Sequence, residues 1–208
     1  MKNGNIDNIF IYWIYFVSII LISIFILESF DFISGLFRED ISYISSIIVF
    51  IFTFYLFRGG YHLYKLRYAI DSLNQDNLSS KNNIFIEILD EYRSSLPNIS
   101  NKKSFQEQLK SRLYEIVDNG FFIADILLKL GIVGTVIGFI IMLSSLSTID
   151  EMNLSKMNNL LLSMSSGMKV ALYTTLSGLI CSILLTIQNN YFENKINNFI
   201  SKILSSDD

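Results

Sequence analysis

Four predominantly apolar stretches, each about the length of a bilayer crossing, are separated by polar segments in a two-plus-two arrangement. Ile9 to Leu27 is nineteen residues without a charge, enough to cross roughly 30 Å of hydrocarbon at about 1.5 Å per residue. Glu28-Ser-Phe-Asp-Phe follows it where a secretory leader would carry a small-x-small cleavage site, so this first span is expected to stay in the mature protein. Ile41 to Phe57 forms the second span, bordered by Tyr43 and Tyr55 as interfacial aromatics and stopped by Arg58-Gly59-Gly60. Residues 1–57 therefore read as a transmembrane hairpin whose acidic turn holds Glu28, Asp31, Arg38, Glu39 and Asp40. The third span runs from about Gly120 to Leu146, and the fourth from about Val170 to Ile187, ending at Gln188-Asn-Asn.

The pattern between spans two and three, residues 58–119, is that of amphipathic helices. Phe85, Ile88, Leu89 and Tyr92 recur at helical spacing until Pro97 and Asn98 end the element. Ser104-Phe-Gln-Glu107 has the form of a capping box, and Phe105, Leu109, Leu113, Ile116 and Val117 then keep one apolar face. Only Gly120 interrupts the path into the third span, so one long helix is expected there. Some sixty residues make a small helical appendage and not a catalytic domain. Residues 193–208 read as a tail. If both termini and the 58–119 segment share one side, that side, with Lys129 near the start of the third span counted on it, holds thirteen of the sixteen basic residues, leaving Arg38, Lys156 and Lys169 opposite, and the positive-inside rule makes it cytoplasmic.

Composition supports this class and removes others. The chain of 208 residues is 51% hydrophobic with seventeen Phe, the signature of an all-α membrane protein of four transmembrane helices. Its sixteen basic residues are dispersed and the net charge is −3, which gives nucleic-acid binding no footprint. Cys181 is the single cysteine, so there is no internal disulfide and no Cys/His zinc set, and no cofactor or metal is expected. The absence of a phosphate-cradling loop, a dinucleotide fingerprint or a nucleophile elbow speaks against an enzyme or an ATP-driven pump. His62, the lone histidine, reads first as an interfacial or satisfied side chain.

The chemistry-bearing pattern lies in the last two spans. Gly131, Gly134, Thr135 and Gly138 fall at i, i+3, i+4 and i+7, and Ala171, Thr174, Thr175, Gly178 and Ser182 continue a similar stripe in the fourth span. Small-xxx-small faces pack transmembrane helices closely, and a threonine can satisfy itself on the carbonyl one turn back, so plain packing explains much of the pattern. The order of the motifs adds to it. Leu130-Gly-Ile-Val-Gly-Thr-Val-Ile-Gly138, followed by Gly167-Met-Lys-Val-Ala-Leu-Tyr-Thr-Thr-Leu-Ser-Gly-Leu179, resembles the MotA/TolQ/ExbB proton-channel family over roughly residues 120–192. The resemblance implies that Thr135 and Thr175, with Thr174 as an additional hydroxyl, line an ion pathway and meet a partner's carboxylate. It implies close packing at Gly131, Gly134, Gly138, Ala171 and Gly178. The four-span layout resembles the flagellar-stator branch, although the 58–119 segment is short for it, which leaves the driven process open among flagellar rotation, gliding, outer-membrane energisation and phage defence.

A proton path needs a titratable group or a water wire, and threonine does not titrate near neutral pH. The inner portions of the four spans hold no Asp, Glu or His. Asp125 and Lys129 stand one turn apart near the edge of the third span and read as an i, i+4 pair, and Glu193 follows the fourth span. The resemblance implies that the missing acid comes from a single-span MotB/ExbD/TolR-like partner carrying an aspartate, two copies inside a pentamer of this chain in a bacterial inner membrane. Hydroxyls line a path for Na+ as well as H+. The competing readings are a multi-span scaffold, for which the stripes only pack helices, and a solute transporter subunit, against which four spans without an inverted repeat count.

Overall fold

The computed structural model describes residues 8–29, 34–35, 40, 42–75, 83–95, 102–144 and 154–205. Among these the chain is helical and has no strand. The helices are α1 (Asn8–Glu28), α2 (Ile44–Gln75), α3 (Ile84–Ser95), α4 (Lys102–Ser144) and α5 (Leu154–Ser205). Four of them, all but α3, are long and apolar enough to cross a membrane, in agreement with a multi-pass membrane protein. Their outer faces carry bare apolar side chains, such as Phe25 at 78% and Phe50 at 75% exposure, which hydrocarbon accommodates and water would not.

Glycine does not act as the sequence pattern implied in α2. The helix runs through Gly59 and Gly60 to Gln75 without a break. Both glycines are helical notches: a Cβ on Gly59 would stand 1.7 Å from Gln188 Nε2, and one on Gly60 would stand 2.2 Å from Trp13 Cζ2. A glycine tolerated in a helix for packing looks in sequence like a breaker, and only the neighbour tells them apart. Gly120 likewise lies within the unbroken α4, as expected, with Asn189 filling the space that its side chain would occupy. The helix α4 already includes Ser104, so the Ser104–Glu107 box does not mark its start. Pro97 and Asn98 lie outside the described residues, as do the side chains of Leu89, Tyr92, Ser104 and Phe105.

The chain forms two compact units, each assembled from separated stretches. The first contains residues 1–18, 55–121 and 186–208. Its core joins Leu63 and Leu66 of α2, Phe85 of α3, Leu109, Leu113 and Val117 of α4, and Phe192, Ile196, Phe199 and Ile203 of α5. Phe85 sits edge-on to both Phe192 and Phe199, at 6.4 and 6.3 Å between ring centroids. Each such buried side chain contributes about 1.5–3 kcal/mol where water is the alternative. The segment after the fourth apolar run is thus a core helix of this unit, continuous in α5 to Ser205.

The second unit contains residues 19–54 and 122–185. Asp40, only 3% exposed, organises the entry to α2. Its carboxylate accepts from the Ser42 amide at 3.0 Å, the Ser42 hydroxyl at 2.5 Å and the Ser45 amide at 2.7 Å. These bonds satisfy amides at a helix start that would otherwise lack a partner, and an anion there complements the helix dipole. Tyr43 within this turn takes a left-handed φ of 57°.

Candidate ion-pathway site

The small-residue faces of α4 and α5 meet inside the second unit. A Cβ on Gly138 would lie 2.6 Å from the Ala171 amide nitrogen, and one on Gly178 would lie 2.8 Å from both Gly131 Cα and Leu127 O. Gly134 faces Thr174, whose Cβ and Oγ1 stand 2.4 Å from the position of an added Cβ. These distances are below any normal carbon contact, so the two backbones approach as only glycine and alanine permit. Gly167 belongs to the same seam, with an added Cβ 2.7 Å from the Met142 amide nitrogen and 2.8 Å from Gly138 O. It was legible as the first glycine of the second motif, four residues before Ala171, but its role depends on what α4 presents to it.

The three threonines separate by environment. Thr174 is fully buried, and its hydroxyl donates to Val170 O at 2.9 Å and Ala171 O at 3.1 Å on its own helix. It is packed on Gly134 and has no exposed surface within the chain. Thr175 is half-buried and its hydroxyl lies 3.1 Å from Ala171 O and 3.2 Å from Gly131 O across the helix pair. Helix geometry also directs the Thr135 amide to the carbonyl of Gly131, four residues back. Of the two half-buried threonines, it is Thr175 whose hydroxyl reaches this carbonyl from the other helix. The Thr135 hydroxyl itself donates to Ile132 O. Ser177 and Ser182 complete the buried polar positions of α5 in this unit, with the Ser177 hydroxyl on Thr174 O at 2.9 Å.

Among the described residues, no carboxylate lies in the contact of these two stripes. Asp125 and Lys129 form an ion pair at 2.5 Å on an exposed face, worth about 0.3–0.5 kcal/mol for a helical i, i+4 pair. Cys181 is buried and unpaired. No group of three or more metal-ligating side chains occurs among the described residues. The arrangement offers a hydroxyl-lined, close-packed helix pair that can orient water or a carboxylate but does not itself supply a titrating group.

The first unit contains a second polar feature that the sequence pattern hid. Gln188 and Asn189, read from sequence as the polar end of the fourth span, are 3% and 6% exposed. Gln188 Nε2 donates to Leu56 O at 3.2 Å. Nearby, a cavity of about 460 Å³ is lined by Arg58, His62, Glu87, Glu91, Arg112 and Glu115 among others, with Arg112 paired to Glu91 at 2.5 Å. The imidazole of His62 is half-buried, 6.1 Å from the Phe192 ring.

No curated protein and no solved structure matches the chain. Residues 121–204, which contain both glycine-threonine motifs and the whole of the Gly131–Thr175 contact, match the MotA/TolQ/ExbB proton channel family, the family to which those motifs point.

Proposed function

We propose that the chain is a proton-channel subunit of a motor-like complex in a bacterial inner membrane, with both termini cytoplasmic. Five copies form a ring around two single-span partners, each supplying an aspartate within the membrane. Thr135 and Thr175 wall the path, and the partner's carboxylate carries the proton past them. Thr174 holds α4 and α5 together. The observation that carries this reading is the reach of the Thr175 hydroxyl across the helix pair to the Gly131 carbonyl, one turn before Thr135, within the stretch that matches the channel family. With no acid in that contact, this reading assigns the titrating group to the partner's carboxylate.

Energy conversion follows from the electrostatics of a membrane. One charge moved through 100 mV yields about 2.3 kcal/mol, available to bias rotation of the ring about its two-fold partner. The partner aspartate must lose and regain a proton, and a hydroxyl beside it stabilises the charged form by about 1.5–3 kcal/mol. Thr175→Val removes that hydroxyl while keeping the shape, so ion flux in vesicles holding the complex is expected to fall by about ten- to a hundredfold, with the subunit ratio on co-purification unchanged. Thr174→Val, which loses only a bond within its own helix, leaves flux within about twofold. Undiminished flux with Thr175→Val would sink the pathway role. The partner is sought in the neighbouring reading frame, as a short protein with one amino-terminal span and an early aspartate.

A further inference from the structure

Two buried amides in the first unit lack partners for part of their polar surface. Gln188 Oε1 and Asn189 Nδ2 are enclosed and accept or donate no hydrogen bond, and the same is true of His62 Nδ1. Buried polar atoms are almost always satisfied, by protein or by ordered water. The three residues are neighbours: Gln188 fills the notch at Gly59, three positions before His62 on α2, and His62 lies against Phe192, one turn beyond Gln188 on α5. Asn189 fills the notch at Gly120, beside Asn119, which with His62 lines the charged cavity. His62 thus lines the cavity and packs on Phe192, one turn along α5 from Gln188.

We propose that this cluster is an internal water-binding site, with the cavity as its mouth and with Gln188 Oε1, Asn189 Nδ2 and His62 Nδ1 as the groups that hold the water. Gly59 and Gly120 are the positions that let the amides enter. An apolar pair in place of Gln188 and Asn189 would pack the same notches without any orphan groups, so their chemistry needs a ligand, and neutral amides beside an imidazole suit water. Arg58 and Arg112 stand beside Glu87, Glu91 and Glu115 at the mouth, a mixed lining that favours neither ion sign and suits a neutral guest. A second part of the proposal, that this water is a stage in ion transfer, rests on the channel reading above; the binding site does not.

Hydroxyl-radical footprinting with short X-ray pulses on the intact full-length protein in nanodiscs tests the site, because radicals form on bound water inside the protein. Phe192 is 4% exposed and Phe199 is 1% exposed, yet only Phe192 adjoins the cluster through His62. Phe192 is expected to label about tenfold faster than Phe199. Gln188→Leu with Asn189→Leu is expected to remove that excess while leaving the exposed Tyr61 unchanged. Equal protection of Phe192 and Phe199 in the wild-type protein overturns the water site whether or not any variant folds. Labelling needs neither partner nor conduction, so its outcome is independent of the channel reading. If Phe192 labels as expected but the double variant conducts normally in a complex whose Thr175→Val form does not, the transfer role is overturned and the binding site stands.

Discussion

Replacing Gly178 by alanine sets a methyl carbon 2.8 Å from both Gly131 Cα and Leu127 O, and 3.1 Å from the Gly131 nitrogen. All three are backbone atoms, so no side-chain rotation relieves the clash. Ordinary contact begins at 3.4 Å, and the helices must separate by about 0.6 Å to reach it. That retreat takes Thr175 Oγ1, now 3.2 Å from Gly131 O, beyond useful hydrogen-bond reach, though Ala171 O at 3.1 Å on its own helix remains. Overpacking of this kind costs about 1–3 kcal/mol, and the lost bond adds up to about 1 kcal/mol. Gly131 is the control, because it lies across the same contact but an added Cβ there meets Gly178 Cα and Thr174 O at 3.2 Å. A shift of a few tenths of an ångström suffices, and the entropy removed from the unfolded chain offsets about 0.4–1 kcal/mol, so Gly131→Ala is expected within about 1 kcal/mol of wild type. Thermal unfolding in mild detergent, followed by circular dichroism, ranks the pair. Cys181, the only thiol and 7% exposed, gives a second readout: its maleimide labelling quickens in Gly178→Ala and not in Gly131→Ala. Equal effects of the two substitutions, or a neutral Gly178→Ala, would refute the reasoning from backbone approach.

Gly59→Ala is expected to expel the Gln188 amide from its notch and break its bond to Leu56 O, costing about 1–2 kcal/mol of thermal stability. The loss should shrink in a Gln188→Ala background, and equal losses in the two backgrounds would show that the notch does not hold the amide. Asp40→Ala removes the acceptor for the Ser42 and Ser45 amides and is expected to lower stability by about 1–2 kcal/mol in the same unfolding assay, whereas a change below about 0.3 kcal/mol would contradict its capping role. Asp125→Asn breaks only an exposed pair, and is expected to change stability by less than about 0.5 kcal/mol; a larger loss would mean that Asp125 is covered in the assembled protein.

The legible parts of the fold were those governed by local chemistry. Ile9 to Leu27 reads as a crossing because hydrocarbon excludes charge and the run is long enough, and α1 covers it. Leu109, Leu113 and Val117 read as one face because of their helical period, and all three are buried in the first unit's core. Gly59 and Gly60 misled because glycine both stops helices and lets neighbours in. Gln188 and Asn189 misled for a related reason: two amides after an apolar run look like an exit into water, whereas glycine notches on other helices enclose them. Of the candidate site, the stripes and their residues were legible, but Thr174 and Thr175 are adjacent and alike in sequence. Helical rotation of about 100° per residue turns one onto Gly134 and the other to the edge of the seam.

By itself the sequence determined the number of helices long and apolar enough to cross a membrane, the two glycine-threonine stripes and the lack of an acid in the inner portions of the spans, since each follows from the transfer chemistry of residues taken singly or a few positions apart. Only the tertiary structure decided which threonine is buried, which glycines are notches, and that Phe192, Ile196, Phe199 and Ile203 of α5 complete a core with α2, α3 and α4. Those outcomes depend on what a distant helix places opposite each side chain, and close packing resolves differences of a single methyl group that a hydropathy pattern does not register.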